Sequence, residues 1–153
     1  MKLSAGLLLF RRINGDPEFF LVHPGGPFFA RKDAGWWTIP KGELFENEAP
    51  LTTAIREFEE ETGFTPSGEF IELSPITQKG GKKVLCWAIE FNVDASAIVS
   101  NTFEIEWPPR SGKLMVFPEV DKAGWFGYNE AARLINQMQI SFLNEVLNKL
   151  SVS

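Results

Sequence analysis

Four glutamates crowd into Arg56-Glu57-Phe58-Glu59-Glu60-Glu61. Carboxylates at this density either coat a solvated helix face or hold a hard cation. On a helix each residue advances by ~100°. With Glu57 set at zero, Glu61 falls at roughly +40° and Glu60 at roughly −60°, so these three share a face. Leu51, Ala54, Ile55 and Phe58 form an apolar stripe centred near about +110°, directly beside it. Like charges at helical neighbour positions repel by about 0.2–0.5 kcal/mol per pair, so a triplet next to a buried face calls for a cation. Arg56, four residues before Glu60, braces one side. Nothing cationic in the same helix faces Glu57 and Glu61. Oxygen donors on a rigid element suit Mg²⁺ or Mn²⁺, with waters and substrate phosphates completing the shell.

The elements that must position these groups follow from local pattern. Pro50 suits the first turn of a helix that runs to about Thr62, and Gly63 supplies its stop. Leu3–Arg12 and Glu18–His23 read as strands around the turn Asn14-Gly15-Asp16-Pro17. A short strand is expected at Trp36–Ile39, closed by Pro40. Phe70–Thr77 and Lys83–Val93 read as strands joined at Gly80-Gly81, the second nearly continuous in apolar character and so central. Asp94–Lys113 reads as mostly irregular. Strands follow around Leu114–Phe117 and Lys122–Phe126, then helices over Asn129–Ile135 and Ser141–Leu150. Interleaved strands and helices along residues 1–153 predict one α/β domain of packed layers.

Bulk properties narrow the function. The chain has 153 residues, a formal charge of −5 and 44% hydrophobic residues, the proportions of a soluble globular domain. The acidic balance argues against a nucleic-acid-binding domain. It leaves room for an anionic small molecule, because a bound divalent cation reverses the local sign. Cys86 is the only cysteine, which excludes an intrachain disulfide. The apolar run Leu7–Phe10 is too short for a membrane span and lacks the flanks of a signal peptide. A cytoplasmic protein is the resulting expectation.

Around the acidic helix the spacing is specific. Gly42 is followed after five residues by Glu48, and after seven more by Arg56-Glu57-Phe58-Glu59-Glu60-Glu61-Thr62-Gly63-Phe64. This closely resembles the signature of the Nudix hydrolase family: glycine, glutamate, Arg-Glu, an apolar residue, Glu-Glu, glycine and a final apolar residue. The resemblance implies a Nudix-type α/β/α sandwich with a mixed β-sheet. It also implies a pyrophosphohydrolase that uses Mg²⁺ or Mn²⁺ to cut a diphosphate linkage in a nucleoside triphosphate or dinucleoside polyphosphate. Glu57, Glu60 and Glu61 would be metal ligands, and Glu57 a general base in some members. Arg56 would orient the glutamates, with Glu48 joining its network. Gly42 would permit a tight loop turn, and the Lys41 carbonyl could add a metal ligand. Asn47 stands where many members carry glycine, and tolerates left-handed backbone. Ala49 replaces the usual capping residue and weakens the helix start.

Other positions fall outside that box. Family members often place a further glutamate six residues before a Trp that opens an apolar pair, and Glu119 precedes Trp125-Phe126 by six. Glu119 is therefore the expected extra metal ligand or water-activating base, with Asp121 second. Lys41, in Pro40-Lys41-Gly42, resembles a feature of diadenosine and inositol polyphosphate hydrolases of the family and could neutralise a distal phosphate. Arg31 and Trp36 are further substrate-binding candidates. Arg31, Lys32, Lys82, Lys83 and Arg110 lie on predicted loops, and Phe28, Phe29, Trp36 and Trp107 could stack on a base. Trp107-Pro108-Pro109-Arg110 suggests a loop over the site, and His23 receives no role. The expected partner is a small nucleotide or diphosphate, with no nucleic acid, no membrane and an open question of a homodimer. The alternative function is a catalytically silent Nudix domain acting as a nucleotide-binding sensor or interaction module. That reading sits poorly with a complete set of box glutamates.

Overall fold

The computed structural model describes residues 2–151; Met1, Val152 and Ser153, the ends of the expected 1–153 domain, lie outside the described residues. In chain order the strands are β1 (Leu3–Ile13), β2 (Asp16–Pro24), β3 (Lys41–Glu43), β4 (Ile71–Glu72), β5 (Ile76–Thr77), β6 (Lys83–Glu90), β7 (Thr102–Glu106), β8 (Leu114–Pro118) and β9 (Val120–Gly127). The helices are α1 (Pro50–Thr62), α2 (Tyr128–Leu134) and α3 (Ile140–Ser151).

The apolar run in β1 explains the layering. Successive residues of a strand leave opposite faces, so a continuous run needs cover on both sides. Leu7 and Leu9 pack with Ala54 and Phe58 of α1. Leu8 and Phe10 pack on the other face with Ala131, Leu134 and Phe142 of α2 and α3. The result is an α/β/α sandwich around a mixed sheet, with path β4-β6-β1-β2-β9. β1 and β6 run parallel from Leu3↔Lys83 to Phe10↔Glu90, while the other pairings are antiparallel. β7 and β8 form a separate two-stranded ribbon.

Several local expectations change in the structure. The strand at Trp36–Ile39 reduces to isolated bridges, Val22↔Thr38 and Trp37↔Ile135, and regular pairing starts only at Lys41. The reason lies in β1, whose one edge is shared: Ser4–Gly6 pair with β3, and Phe10–Ile13 pair with β2. Gly6 makes this possible, since a Cβ there would stand 2.5 Å from the Pro40 carbonyl oxygen and 2.7 Å from Lys41 Cβ. The strand expected over Phe70–Thr77 is two short pieces, separated around Ser74-Pro75; proline has no N–H to give a ladder. Asp94–Lys113 is less irregular than expected, because it holds β7 and a 3₁₀ turn at Ala95–Ala97. The alternation Phe103-Glu104-Ile105-Glu106 carries the strand signal for β7.

No helix among the described residues is long and apolar enough to cross a membrane.

Candidate active site

Helix α1 is anchored by its apolar stripe. Ala54 and Phe58 are fully buried, and the Phe58 ring meets Phe20 of β2 at 5.7 Å between centroids. Truncating a buried phenylalanine of this kind costs about 3–5 kcal/mol, so the helix is held against rotation. Its start has Pro50 in the first turn and no side-chain cap at Ala49, and its end is Gly63 in the left-handed region at φ 81°. Asn47 also adopts a left-handed φ of 63°, which asparagine tolerates well.

Arg56 is the hub of the acidic face. Its Nε and Nη2 donate to the two oxygens of Glu48 at 2.8 and 3.0 Å. Nη1 donates to Glu57 at 2.9 Å and to Glu60 at 3.1 Å. Nη2 also reaches the Glu43 carbonyl at 3.3 Å, and the guanidinium carbon lies 3.7 Å from the centre of the Phe45 ring. Glu48 is fixed in turn by the Phe45 N–H at 3.0 Å and the Thr53 hydroxyl at 2.6 Å. Hydrogen bonds from Arg56, Thr53 and Phe45 hold the Glu48 carboxyl down to about 2. Sequence reasoning anticipated the Arg56–Glu48 and Arg56–Glu60 pairs but missed Thr53 and Phe45. Thr53 and Glu48 are five residues apart, across the helix start, and only the folded loop brings them together.

The remaining carboxylates are less well compensated. Glu61 is 9% exposed, and burial, then Glu57 and Glu119, raise its pKa well above the ordinary carboxylate value. Burial and Glu60 also raise Glu57, against an opposing effect of Arg56. Glu119, in the junction between β8 and β9, is raised by burial and by Glu60. The structure thus brings Glu119 into the field of the helix glutamates. Asp121 instead accepts from His23 Nδ1 at 2.8 Å. Lys41 faces Glu61 electrostatically, and burial lowers its pKa despite that attraction.

Backbone contacts explain where Glu119 sits. The Asn101 N–H donates to the Glu60 carbonyl at 2.7 Å, and the Glu119 N–H donates to the Asn101 carbonyl at 2.8 Å. The Gly25 N–H then donates to the Glu119 carbonyl at 2.9 Å. Beside this relay, the Ser100 hydroxyl accepts from the Val120 N–H at 3.0 Å. Segment Val99–Asn101 therefore straps the end of α1 to the β8–β9 junction. Nothing in the sequence marks Ser100 or Asn101 for this task.

Gly42 corrects one expectation. It sits within β3 paired with Ala5, rather than easing a tight turn. A Cβ there would lie 2.2 Å from Glu57 Cδ and Oε1. The Glu57 carboxylate occupies the space a side chain at position 42 would fill, so any larger residue there would displace it.

Arg31 and Trp36 lie on the loop after β2, and both are exposed. Trp36 packs against Phe29 at 5.8 Å, with the Lys32 ammonium 5.3 Å from its ring centre. This loop is tied down by buried His23, whose Nε2 is 2.6 Å from the Lys32 carbonyl oxygen. His23, given no role from sequence, thus joins β9 to the loop that carries the substrate-binding candidates.

Among the described residues, no three His, Cys, Asp or Glu side chains converge into a ready-made metal cage. The donor set still fits a hard divalent cation. Glu57, Glu61 and Glu119 carry raised pKa values through burial and mutual repulsion, and Mg²⁺ is bound by one or two carboxylates with waters and phosphates for the rest.

Comparison with known proteins agrees with this geometry. The rat bis(5′-nucleosyl)-tetraphosphatase (asymmetrical) is 33% identical over 143 residues, covering 86% of this chain and 82% of the relative. The mRNA-decapping protein g5R of African swine fever virus is 54% identical over 43 residues, 28% of this chain and 17% of that protein. The chain spans less than a fifth of the length of that viral relative. A solved binary complex of C. elegans Ap4A hydrolase superposes with a TM-score of 0.68 at 21% identity, covering 100% of both chains. A NUDIX domain model matches residues 2–145, a span that holds the whole sheet, the acidic helix and Glu119, and on that match the chain belongs to the Nudix family.

Proposed function

We propose that the protein is a Mg²⁺- or Mn²⁺-dependent pyrophosphohydrolase that cleaves a diphosphate linkage in a nucleoside triphosphate or dinucleoside polyphosphate. The observation that carries this reading is the acidic cluster itself. Glu57, Glu61 and Glu119 have pKa values raised by burial and by one another or Glu60, and of the three it is Glu57 that Arg56 binds. A cluster of this kind is short of positive charge, and divalent cations with a polyphosphate supply both the charge and the oxygen ligands. The relative that covers most of the chain is named as a dinucleoside tetraphosphatase, which supports the longer substrates.

Glu57, Glu60 and Glu61 would hold the cations, with the Lys41 carbonyl as an added ligand. Bound divalent cations neutralise phosphate oxygens and make a coordinated water more acidic. Arg56 keeps Glu57 and Glu60 aimed through its bonds at 2.9 and 3.1 Å. Glu119 serves as the base. No hydrogen bond from a cationic side chain holds its carboxylate among the described residues, whereas Glu57 is held by Arg56, so the Glu119 carboxylate is the freer of the two to take a proton. As water oxygen bonds to phosphorus, its proton passes to Glu119 and the bond from phosphorus to the bridging oxygen breaks. The leaving phosphate group departs with that electron pair. The Lys41 ammonium, beside Glu61, would neutralise a distal phosphate of the substrate. Arg31 and Trp36 would contact substrate from the loop after β2.

A phosphate-release screen with Mg²⁺ and Mn²⁺, coupled to a phosphatase or pyrophosphatase, tests the proposal. It should cover nucleoside triphosphates, dinucleoside polyphosphates, ADP-ribose and nucleotide sugars. Turnover of a nucleoside triphosphate or dinucleoside polyphosphate that requires the cation and disappears in Glu61→Gln is expected. Absence of turnover across the panel by folded, metal-binding protein would favour the sensor alternative.

A further inference from the structure

The alternation along β9 breaks at one residue. Ala123 and Trp125 pack on the α1 side of the sheet, two apart as a strand requires, yet the next residue on that side is buried Val120. Residues three apart share a strand face only across a bulge. The ladder with β2 locates it: His23 pairs with Lys122 and Pro24 with Val120, which leaves Asp121 unmatched. His23 follows Val22 of the α1-side core and so faces the opposite layer. Asp121 turns to that layer to meet His23, and Lys122 does too, its ammonium 5.6 Å from the Trp37 ring centre.

A side chain holds this bulge where the ladder is weak, since Pro24 has no N–H to give across it. The imidazole of His23, 1% exposed, donates from Nδ1 to the Asp121 carboxylate at 2.8 Å. Its Nε2 lies 2.6 Å from the Lys32 carbonyl oxygen, and its ring stands edge-on to Trp37 at 5.4 Å. The ring therefore cannot turn without losing a bond at each end. Just before the bulge comes Glu119, whose carbonyl accepts from the Gly25 N–H at 2.9 Å. The end of β2 thus grips both sides of Val120, with His23 on Asp121 and Gly25 on Glu119. Loss of the bulge would carry Val120 out of the core and turn Asp121 toward α1. It would also shift Glu119 along β2 by one residue, about 3.4 Å.

We propose that His23 is a positioning residue for Glu119: by clasping Asp121 it fixes the bulge that sets where the proton acceptor stands. The task of Glu119 rests on the hydrolase reading above; the clasp itself does not.

Two substitutions divide the two bonds of this one ring. An asparagine amide nitrogen falls near Nδ1 of a histidine, and a glutamine amide nitrogen near Nε2. His23→Asn therefore keeps the donor to Asp121 and gives up the Lys32 carbonyl, whereas His23→Gln does the reverse. Both disturb the same buried site, so both should lower the melting temperature. His23→Gln is expected to lower kcat by about tenfold to a hundredfold, the cost of moving a reacting group by about 1 Å. His23→Asn should restore kcat to within about threefold of wild type. In a Glu119→Gln background His23→Gln should cost nothing more, because it acts through Glu119. Amide hydrogen exchange reads the clasp without turnover. His23→Gln should speed exchange at Val120 and Lys122, and His23→Asn at Lys32 and Trp36 instead. If His23→Gln does not fold, Asp121→Ala removes the same bond from a partner that is 35% exposed and carries the same expectation. Equal loss of kcat in both His23 variants, no loss in either, or an undiminished loss in the Glu119→Gln background would overturn the positioning role. A wild-type protein that turns over nothing would defeat the hydrolase reading alone. The exchange patterns would still decide the clasp, and identical patterns in the two variants would overturn it.

Discussion

Gly42→Ala puts the architecture of the acidic site to a direct test. The added Cβ would stand 2.2 Å from Glu57 Cδ and Oε1, against an ordinary separation of about 3.5 Å. The backbone cannot retreat, because Gly42 is paired with Ala5 of β1, and Ala5 is fully buried. The flexible end of Glu57 must move instead, by roughly 1.3 Å. That displacement breaks its 2.9 Å bond from Arg56 and takes one proposed ligand off the cation. A misplacement of about 1 Å can cost a factor of 10², or about 2.7 kcal/mol of barrier. Because the moving group is a side-chain tip, stability should fall by only about 1–2 kcal/mol. The assay is metal-dependent phosphate release, with thermal unfolding as the control for folding. Gly127→Ala is the matched substitution, since a Cβ there meets nothing within 4 Å, and it should be close to neutral. A folded Gly42→Ala enzyme within about threefold of wild type would refute the claim that Gly42 exists to make room for Glu57.

Three further outcomes are expected. Glu61 has its pKa raised in the fold by burial and neighbouring carboxylates. Its proton therefore stabilises the metal-free protein at low pH, and that contribution is lost as pH rises above the unfolded value through the folded one. Metal-free wild type should lose stability on going from pH 5 to pH 8 more than Glu61→Gln does, and Mg²⁺ should narrow the gap; parallel pH profiles in differential scanning calorimetry would contradict this. Ser100→Ala orphans the buried Val120 N–H, and should cost about 1–3 kcal/mol and lower kcat through the displaced Glu119, while Ser100→Thr retains both. An unchanged kcat in Ser100→Ala would show that the strap does not position Glu119. Lys41→Ala should raise KM more for tetraphosphate-bridged substrates than for triphosphates, and equal effects on the two would remove the distal-phosphate role.

Much of the site was legible because helical geometry is local. The phase of Glu57, Glu60 and Glu61, the apolar stripe through Phe58 and the reach from Arg56 to Glu60 all follow from 3.6 residues per turn. The bounds of α1 were equally readable, since Pro50 and Gly63 act within one turn of themselves. The layering was readable in outline from the interleaving of strands and helices along the chain. The ribbon strand β7 was also present in the alternation of Thr102–Glu106, but its neighbours Pro108, Pro109 and Gly112 obscured it.

What tertiary structure alone decided is everything that depends on approach between distant segments. Gly42 stood out by its spacing and Gly6 did not, and what each admits came only with the fold: Gly6 the Pro40 carbonyl, Gly42 the Glu57 carboxylate. Glu119 and Asp121 are two residues apart, and in the sequence only the spacing to Trp125 ranked the first above the second. The fold points one into the field of the helix glutamates and gives the other to His23. The choice is made by the strap of Asn101 between Glu60 and Glu119, and by the register of β2 against β9, which sets His23 beside Lys122. Periodicity fixes which residues of one element share a face. Which face meets which carboxylate depends on loop closure and strand register, and those are set by the packing of the whole sandwich.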